Sequence, residues 1–276
     1  MARRVAYLGP AGTFSEQAAL LHSAEAQLLP FASVEAVAAA VEAGLAEEGV
    51  VPIENSIEGS VTSTLDLLIH DSTLVIRREL VLAIDHCLVV KPGIQASDIR
   101  TIYSHPQALG QCRRFIERCF PKAQVAAALS TAAAVEEAMA SATPSAAIAP
   151  QRAAELYGAE ILARGIQDQS TNETRFVVLA ESDNEPTGAD KTSLCFTFAS
   201  DRPGVLCEVL HEFAVRGINL AKVESRPAKT ELGKYFFLVD LEGHRTDAFI
   251  AQAIESIRPK TALLKVLGSY PRFTAK

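Results

Sequence analysis

Arg4-Val5-Ala6-Tyr7-Leu8-Gly9-Pro10-Ala11-Gly12-Thr13-Phe14-Ser15-Glu16 opens as an apolar run and breaks at a Gly-Pro pair. Residues 3–8 read as a buried strand, 9–13 as a loop and 14–24 as a helix. A strand–loop–helix opening of this kind marks an α/β fold. The alternation then continues down the chain. A second helix is expected at 33–45, a strand at 49–53 ending in polar Glu54-Asn55-Ser56, and helical spacing at 61–69. Residues 73–90, rich in Val, Ile and Leu, predict one or two strands. A strand at 101–103, a helix at 106–120, a strand at 123–129 and a helix at 131–141 follow. Next come a strand at 146–148, a helix at 150–157, a strand near Ile161 and another at 175–179.

Residues 181–190 (Glu-Ser-Asp-Asn-Glu-Pro-Thr-Gly-Ala-Asp) hold no large apolar side chain and read as a solvated linker. Beyond it the order is strand 192–198, the turn Asp201-Arg202-Pro203-Gly204, helix 205–216, strands 219–225 and 235–241, helix 247–257 and strand 263–267. That is βαββαβ, the ferredoxin-like arrangement.

Bulk properties narrow the function. The 276 residues are 49% hydrophobic and 21% charged, with a net charge of -7. An acidic surface disfavours nucleic acid or an anionic membrane as a partner. No apolar run nears the roughly 18 residues that cross a bilayer. The five cysteines, Cys87, Cys112, Cys119, Cys195 and Cys207, form no CxxC pair, which argues against a disulfide framework or zinc site; each is expected as a buried thiol. The basic start has no secretory h-region, and a cytoplasmic location is expected by elimination.

Polar residues cluster where α/β sheets bind ligands, beyond the carboxyl ends of strands. Glu54-Asn55-Ser56, Ser104-His105-Pro106-Gln107, Ser130-Thr131 and the 9–13 loop all fall there. Ser104 and Ser130 or Thr131 also stand at expected helix N-caps, where backbone N–H groups and the helix dipole suit a carboxylate or phosphate. Capping alone is the simpler account of any single one. Gly9-Pro10-Ala11-Gly12 has neither the G-x-G-x-x-G spacing of a dinucleotide site nor the following Gly-Lys of a P-loop. Metal-ligand spacings and a nucleophile elbow are also missing. These patterns reach as far as a small anionic ligand in an α/β cleft.

Several motifs resemble the prephenate dehydratase family. They are residues 7–17 (Tyr-Leu-Gly-Pro-Ala-Gly-Thr-Phe-Ser-Glu-Gln), Val51-Pro52-Ile53-Glu54-Asn55-Ser56 with Gly59-Ser60-Val61, Tyr103-Ser104-His105-Pro106-Gln107-Ala108-Leu109, Ser130-Thr131-Ala132-Ala133, and Asn172-Glu173-Thr174-Arg175-Phe176. Glu224-Ser225-Arg226-Pro227 resembles an effector motif of that family's ACT domain. The second effector motif, often Gly-Ala-Leu-Val, stands here as Gly204-Val205-Leu206-Cys207. The likeness runs over 3–272 in family order.

The resemblance implies a two-lobed catalytic domain of type II periplasmic-binding-protein plan over 1–180, the 181–190 linker and an ACT regulatory domain over 191–276. One lobe would hold about 1–77 and 160–180, the other about 78–159. It implies dehydration and decarboxylation of prephenate to phenylpyruvate, without cofactor or metal, with arogenate as the alternative substrate. A more distant alternative is a non-catalytic small-anion binding protein with an amino-acid sensor. Thr174, Arg175 and Phe176 would be catalytic. Asn55, Ser56, Ser104, His105, Gln107, Ser130, Thr131 and Asn172 would bind substrate. L-phenylalanine would be the feedback effector, held by Gly204, Val205, Leu206, Asn219, Leu220, Glu224, Ser225, Arg226 and Pro227 in a homodimer or homotetramer joined through the ACT and catalytic domains.

One physical conflict is visible within the motif. Neighbours in a strand point to opposite faces, so Thr174 and Arg175 cannot both face a cleft in regular β geometry. Placing Thr174 at a loop–strand junction would relax that restriction and let Arg175 grip a substrate carboxylate; a structural ion pair is the alternative for Arg175.

Overall fold

The apolar run at the start does form a strand, and the Gly-Pro break after it is a tight loop. The structure is a computed structural model describing residues 3–200, 202–228 and 234–274. Asp201 of the expected turn lies outside them.

Along the chain, β1 (Arg4–Leu8), α1 (Phe14–His22), β2 (Gln27–Phe31), α2 (Val34–Glu42), β3 (Glu48–Asn55), the short β4 (Gly59–Ser60), α3 (Thr62–Asp66) and β5 (Val75–Ala83) come first. A π-helical turn, Leu67–Asp71, continues α3. Next are β6 (Cys87–Val90), β7 (Thr101–Ser104), α4 (Pro106–Gln111), α5 (Arg113–Cys119), β8 (Gln124–Ala127), α6 (Thr131–Ala140), β9 (Ser145–Ala149), α7 (Gln151–Tyr157) and β10 (Glu160–Arg164). After β11 (Glu173–Ala180) the chain makes β12 (Asp190–Thr197), α8 (Val205–Ala214), β13 (Leu220–Pro227), β14 (Tyr235–Glu242), α9 (Ala248–Ile257) and β15 (Leu263–Pro271).

Among the described residues three sheets result. The first has the order β2-β1-β3-β11-β5, with β4 on β3; the second is β10-β6-β9-β7-β8; the third is β13-β14-β12-β15. The first two are built from the alternating strands and helices before residue 181, and the third is the ferredoxin-like sheet of βαββαβ. The lobe boundaries differ from expectation. β5 stays with the first sheet, so the chain crosses after Ala83 rather than near residue 77. β10 pairs antiparallel with β6, Glu160 opposite Val90, so the return crossing follows Arg164 rather than residue 159.

By packing, the chain divides into two compact units: one runs to Val61 and resumes at Leu80–Phe176, and the other joins Thr62–Glu79 to the residues from Val177 onward. Residues 62–74, expected in the first lobe, thus pack in one unit with the third sheet, and so does the first half of β5, although β5 is hydrogen-bonded into the first sheet. Charged groups of that sheet explain why. Lys265 Nζ donates to Leu68 O (2.6 Å) and Ser72 O (2.8 Å), the open carbonyls at the end of the π-helical turn. Arg226 pairs with Asp66 at 2.9 Å and Lys191 with Glu79 at 2.9 Å. The His70 and Phe236 rings meet edge to face at 5.0 Å. Gly268, at φ +142, lets β15 pass against β5, because a Cβ there would overlap the Ile76 backbone.

The segment expected as a solvated linker is bonded in place within this second unit. Asn184 N donates to Ser269 O, and Asn184 O meets His244 Nε2 at 2.9 Å. Buried Asp190 accepts from Thr187 N and Gly188 N. Composition alone missed these bonds because the polar side chains, read as solvated, are mostly spent on the backbone.

Other differences are local. β2 was not anticipated, since it is a partly exposed edge strand containing Pro30, a residue edges tolerate. The expected 106–120 helix breaks at Cys112 into α4 and α5. Cys119 and Cys207 are exposed rather than buried.

Candidate active site

Gly12 sets the first wall of the site. Its φ of +84 turns the chain out of β1, and an added Cβ would lie 3.2 Å from Ala153 Cα and 3.4 Å from Ala132 Cβ. Gly12 N donates to Glu16 Oε2 at 2.7 Å, and Arg152 braces the same carboxylate at 3.2 Å. Thr13 caps α1, with Oγ1 accepting from Glu16 N. Ser130 caps α6 by accepting from Ala133 N at 2.9 Å. The cap of α4 is His105, not the expected Ser104: His105 Nδ1 accepts from Gln107 N at 3.3 Å. Ser104 is fully buried at the end of β7 and donates instead to Ile148 O at 2.6 Å.

These N-terminal ends of α1, α4 and α6 line one cleft of about 360 Å³ in the first unit, together with Asn55 and Thr174 from the ends of β3 and β11. Among the described residues the lining includes His86 and His105 but no carboxylate, lysine or arginine. First-turn amides of helices lack intrahelical acceptors and sit at the positive end of the dipole. The wall is thus built to hold negative charge without a formal cation.

Thr174 is the second residue of β11, and strand alternation decides the fate of its neighbours. Thr174 lines the cleft. Arg175 turns to the other face, where its Nη2 lies 3.1 Å from Glu54 Oε2. Phe176 is buried in the core. The expectation that a relaxed loop–strand junction would bring Arg175 to the substrate does not hold, because the strand already begins at Glu173. Arg175 is the structural ion pair instead.

Behind Thr174 runs a network of amides. Asn55 Oδ1 accepts from Ile57 N and Glu58 N, both at 3.0 Å. Asn55 Nδ2 donates to Asn172 Oδ1 (2.7 Å), Thr174 Oγ1 (2.9 Å) and Glu173 O (3.1 Å). Asn172 Nδ2 donates to Gln111 Oε1 at 3.0 Å, and His86 Nε2 meets the same oxygen at 3.0 Å. Ser56 ties the loop to β11 by accepting from Glu173 N at 2.9 Å and donating to Thr171 O at 3.2 Å.

Of the residues expected at a substrate site, Asn55, His105, Gln107, Ser130, Thr131 and Thr174 share the cleft wall; Ser56, Ser104, Asn172, Arg175 and Phe176 do not reach it. Thr13 joins the wall from the 9–13 loop, and the structure adds Ser15, His86 and Gln111. Sequence reading left His86 and Gln111 unassigned because one stands before an apolar strand and the other inside a helix; only the fold brings them together. Burial holds the His86 pKa below its ordinary 6.5, against opposing effects of the Gln111 hydrogen bond and Asp85.

In the second unit, β13 divides its residues in the same way. Lys222, Glu224 and Arg226 lie on one face, with Glu224 pairing Lys222 at 3.1 Å and Arg226 reaching Asp66. Ser225 lies on the other and lines a separate cavity of about 320 Å³ with Phe198, Tyr235 and Phe237. Gly204 is the left-handed N-cap of α8, Val205 is buried and Leu206 packs on the core of this unit. Asn219 precedes β13 and accepts from Glu242 N; Leu220 begins the strand and Pro227 ends it.

Comparison with known proteins identifies similar chains. A family model described as prephenate dehydratase matches residues 5–184, and one described as ACT domain matches 193–259. A bifunctional chorismate mutase/prephenate dehydratase of Aquifex aeolicus is 44% identical over 98% of this chain and 74% of its own. A prephenate dehydratase of Mycobacterium bovis is 40% identical over 97% of this chain and 87% of its own. Among solved structures, prephenate dehydratase from Arthrobacter aurescens in complex with L-Phe matches with TM-score 0.90 at 38% identity, covering 98% of this chain and 90% of that one. A protein described as GqqA, a novel type of quorum quenching acylase, matches with TM-score 0.88 at 30% identity over 98% of each chain.

Proposed function

We propose, for a chain that belongs to the prephenate dehydratase family, that the cleft at Thr174 is where prephenate loses water and carbon dioxide. Prephenate carries two carboxylates, a keto group and a ring hydroxyl. The C–O bond to the hydroxyl breaks as the ring carboxylate leaves as carbon dioxide; the released electron pair completes the aromatic ring of phenylpyruvate, and the hydroxyl leaves as water after gaining a proton.

Helix N-termini suit the dianion. The first-turn amides of α1 and α6 that the Thr13 and Ser130 caps do not take offer donors, and among the described residues the lining lacks side-chain anions that would repel it. Thr174 suits the departing hydroxyl. Its oxygen accepts from Asn55 Nδ2, which leaves its own hydrogen to point at the substrate and strengthens it as a donor. A threonine hydroxyl is too weak an acid to surrender its proton outright near neutral pH, so its part is to hydrogen-bond charge developing on the leaving oxygen.

The observation that carries this reading is the convergence of Thr174 and the helix N-termini on one cleft. It also bears on substrate choice. Arogenate replaces the keto group by an ammonium, and the lining offers no carboxylate to receive it. The test is phenylpyruvate absorbance with prephenate, compared with phenylalanine formation from arogenate. A larger kcat/KM for prephenate is expected; a larger value for arogenate would overturn the preference, and turnover of neither would overturn the dehydratase reading.

The acylase likeness brings a second reading, amide hydrolysis, since His105 shares the cleft wall with Ser130 and Thr131. Release of a free acid from an N-acylated substrate, lost in His105→Ala, would support it.

L-phenylalanine is proposed as feedback effector of the ACT region, binding at 204–206 and along 219–227. Calorimetry on the intact chain tests this, and no detectable binding would remove the assignment. A homodimer or homotetramer joined through β13, an edge strand that carries exposed Val223 next to exposed Tyr235 on β14, is tested by sedimentation. A cytoplasmic location is proposed too, tested by fractionation; among the described residues no helix is long and apolar enough to cross a membrane.

A further inference from the structure

The polarity of the amide network behind Thr174 follows from one fixed point, because backbone N–H groups can only donate. Ile57 N and Glu58 N both donate to Asn55 Oδ1. That assignment makes Asn55 Nδ2 the donor to Asn172 Oδ1. Asn172 must then present Nδ2 to Gln111, so Gln111 accepts on Oε1. His86 Nε2 meets this same oxygen and must carry a proton. A neutral imidazole with its proton on Nε2 has its lone pair on Nδ1.

Two atoms are left over. Gln111 Nε2, a donor, and His86 Nδ1, an acceptor, are buried with no hydrogen-bond partner among the described residues, and both side chains line the cleft. Buried polar atoms in this state call for a ligand or a specific role.

We propose that His86 is a positioning residue, whose Nε2–H acts with Asn172 to hold Gln111 Oε1 and so reserves the Gln111 NH2 group as a donor to a substrate oxygen. Without this hold the carboxamide can rotate and set its carbonyl against a dianion. His86 is well fixed for the task. It is 2% exposed, its N–H donates to Gln167 Oε1 at 3.0 Å, its carbonyl accepts from Ile166 N at 3.1 Å, and the Phe14 ring meets it edge-on at 5.6 Å. Burial favours the neutral ring that this arrangement requires, although Asp85 acts in the other direction.

The proposal deepens the prephenate reading and rests on it for the identity of the substrate, but the tautomer can be tested independently. Nitrogen-15 NMR of histidine-labelled intact protein near neutral pH is expected to show His86 protonated on Nε2 and bare on Nδ1. A proton on Nδ1 alone would overturn the proposal. His86→Gln puts an amide NH2 close to where Nε2 stood, whereas His86→Asn mimics Nδ1 and falls short of Gln111. His86→Asn is expected to lower kcat/KM for prephenate by about 100-fold, the scale of losing one donor to developing charge, and His86→Gln to recover most of it. Equal activity of the two folded variants would overturn the positioning role; if neither folds, the NMR result decides. Wild-type protein inactive on prephenate would remove the reaction reading and leave the tautomer result standing.

Discussion

Thr174 and Arg175 are adjacent in sequence and opposed in space. The sequence made that conflict legible, since the period of a strand is two, but not its resolution, which depends on where β11 begins. The structure puts Thr174 in the cleft and gives Arg175 to Glu54. Arg175→Gln is therefore expected to change KM for prephenate little and to lower stability. Breaking a well-buried pair costs about 3–5 kcal/mol; with Glu54 one-third exposed, about 1–2 kcal/mol is expected after solvent screening. Thermal denaturation and steady-state kinetics on one preparation check both parts. A second expectation concerns acid. His86 has a folded pKa below its ordinary 6.5, so the unfolded chain takes up the proton first as pH falls. Its contribution to stability is complete above about 6.5 and is lost downward as pH passes through the lowered folded value. Denaturant titrations in that window should show a smaller pH slope in His86→Gln than in the wild-type protein.

Helix starts are the elements on which the anion site depends, and they were partly legible. The cap of α6 was legible as Ser130 or Thr131, and Ser130 takes it; the cap of α4 is one residue later than expected because a serine is the commoner choice and His105 gives no side-chain signal. Ser130→Ala should cost about 1 kcal/mol of stability, the usual loss for an N-cap, and should raise KM more than it lowers kcat, because it loosens amides that bind substrate in the ground state as well. An unchanged KM, measured over a full range of prephenate concentration, would argue against substrate lying at the start of α6. Elements whose strand or helix pattern runs into the core were readable, as β3, β9 and α6 show. The edge strand β2 and the break at Cys112 were not, since their placement comes from neighbours rather than from local periodicity.

At the scale of the whole molecule, element order made a βαββαβ stretch beyond residue 190 legible, and the family resemblance supplied the rest of the expected division, but the allegiance of segment 62–74 was not legible. The charges holding it and the first half of β5, Lys265, Arg226 and Lys191, lie more than a hundred residues away in sequence. Arg226 belongs to the proposed effector motif, while Asp66 lies a few residues after the Asn55 loop that supports Thr174. Asp66→Asn is expected to leave calorimetric phenylalanine affinity nearly unchanged and to weaken inhibition about fivefold, a coupling loss near 1 kcal/mol. Undiminished inhibition would show that the Arg226–Asp66 pair carries none of the coupling. The central claim concerns the cleft itself, and Thr174→Val tests it most directly, since valine keeps the shape and removes the hydroxyl. Phenylpyruvate formation from prephenate should show kcat reduced about 100-fold, as for loss of a single preorganised donor, with KM changed only severalfold. A folded Thr174→Val protein with near-normal kcat would contradict the account.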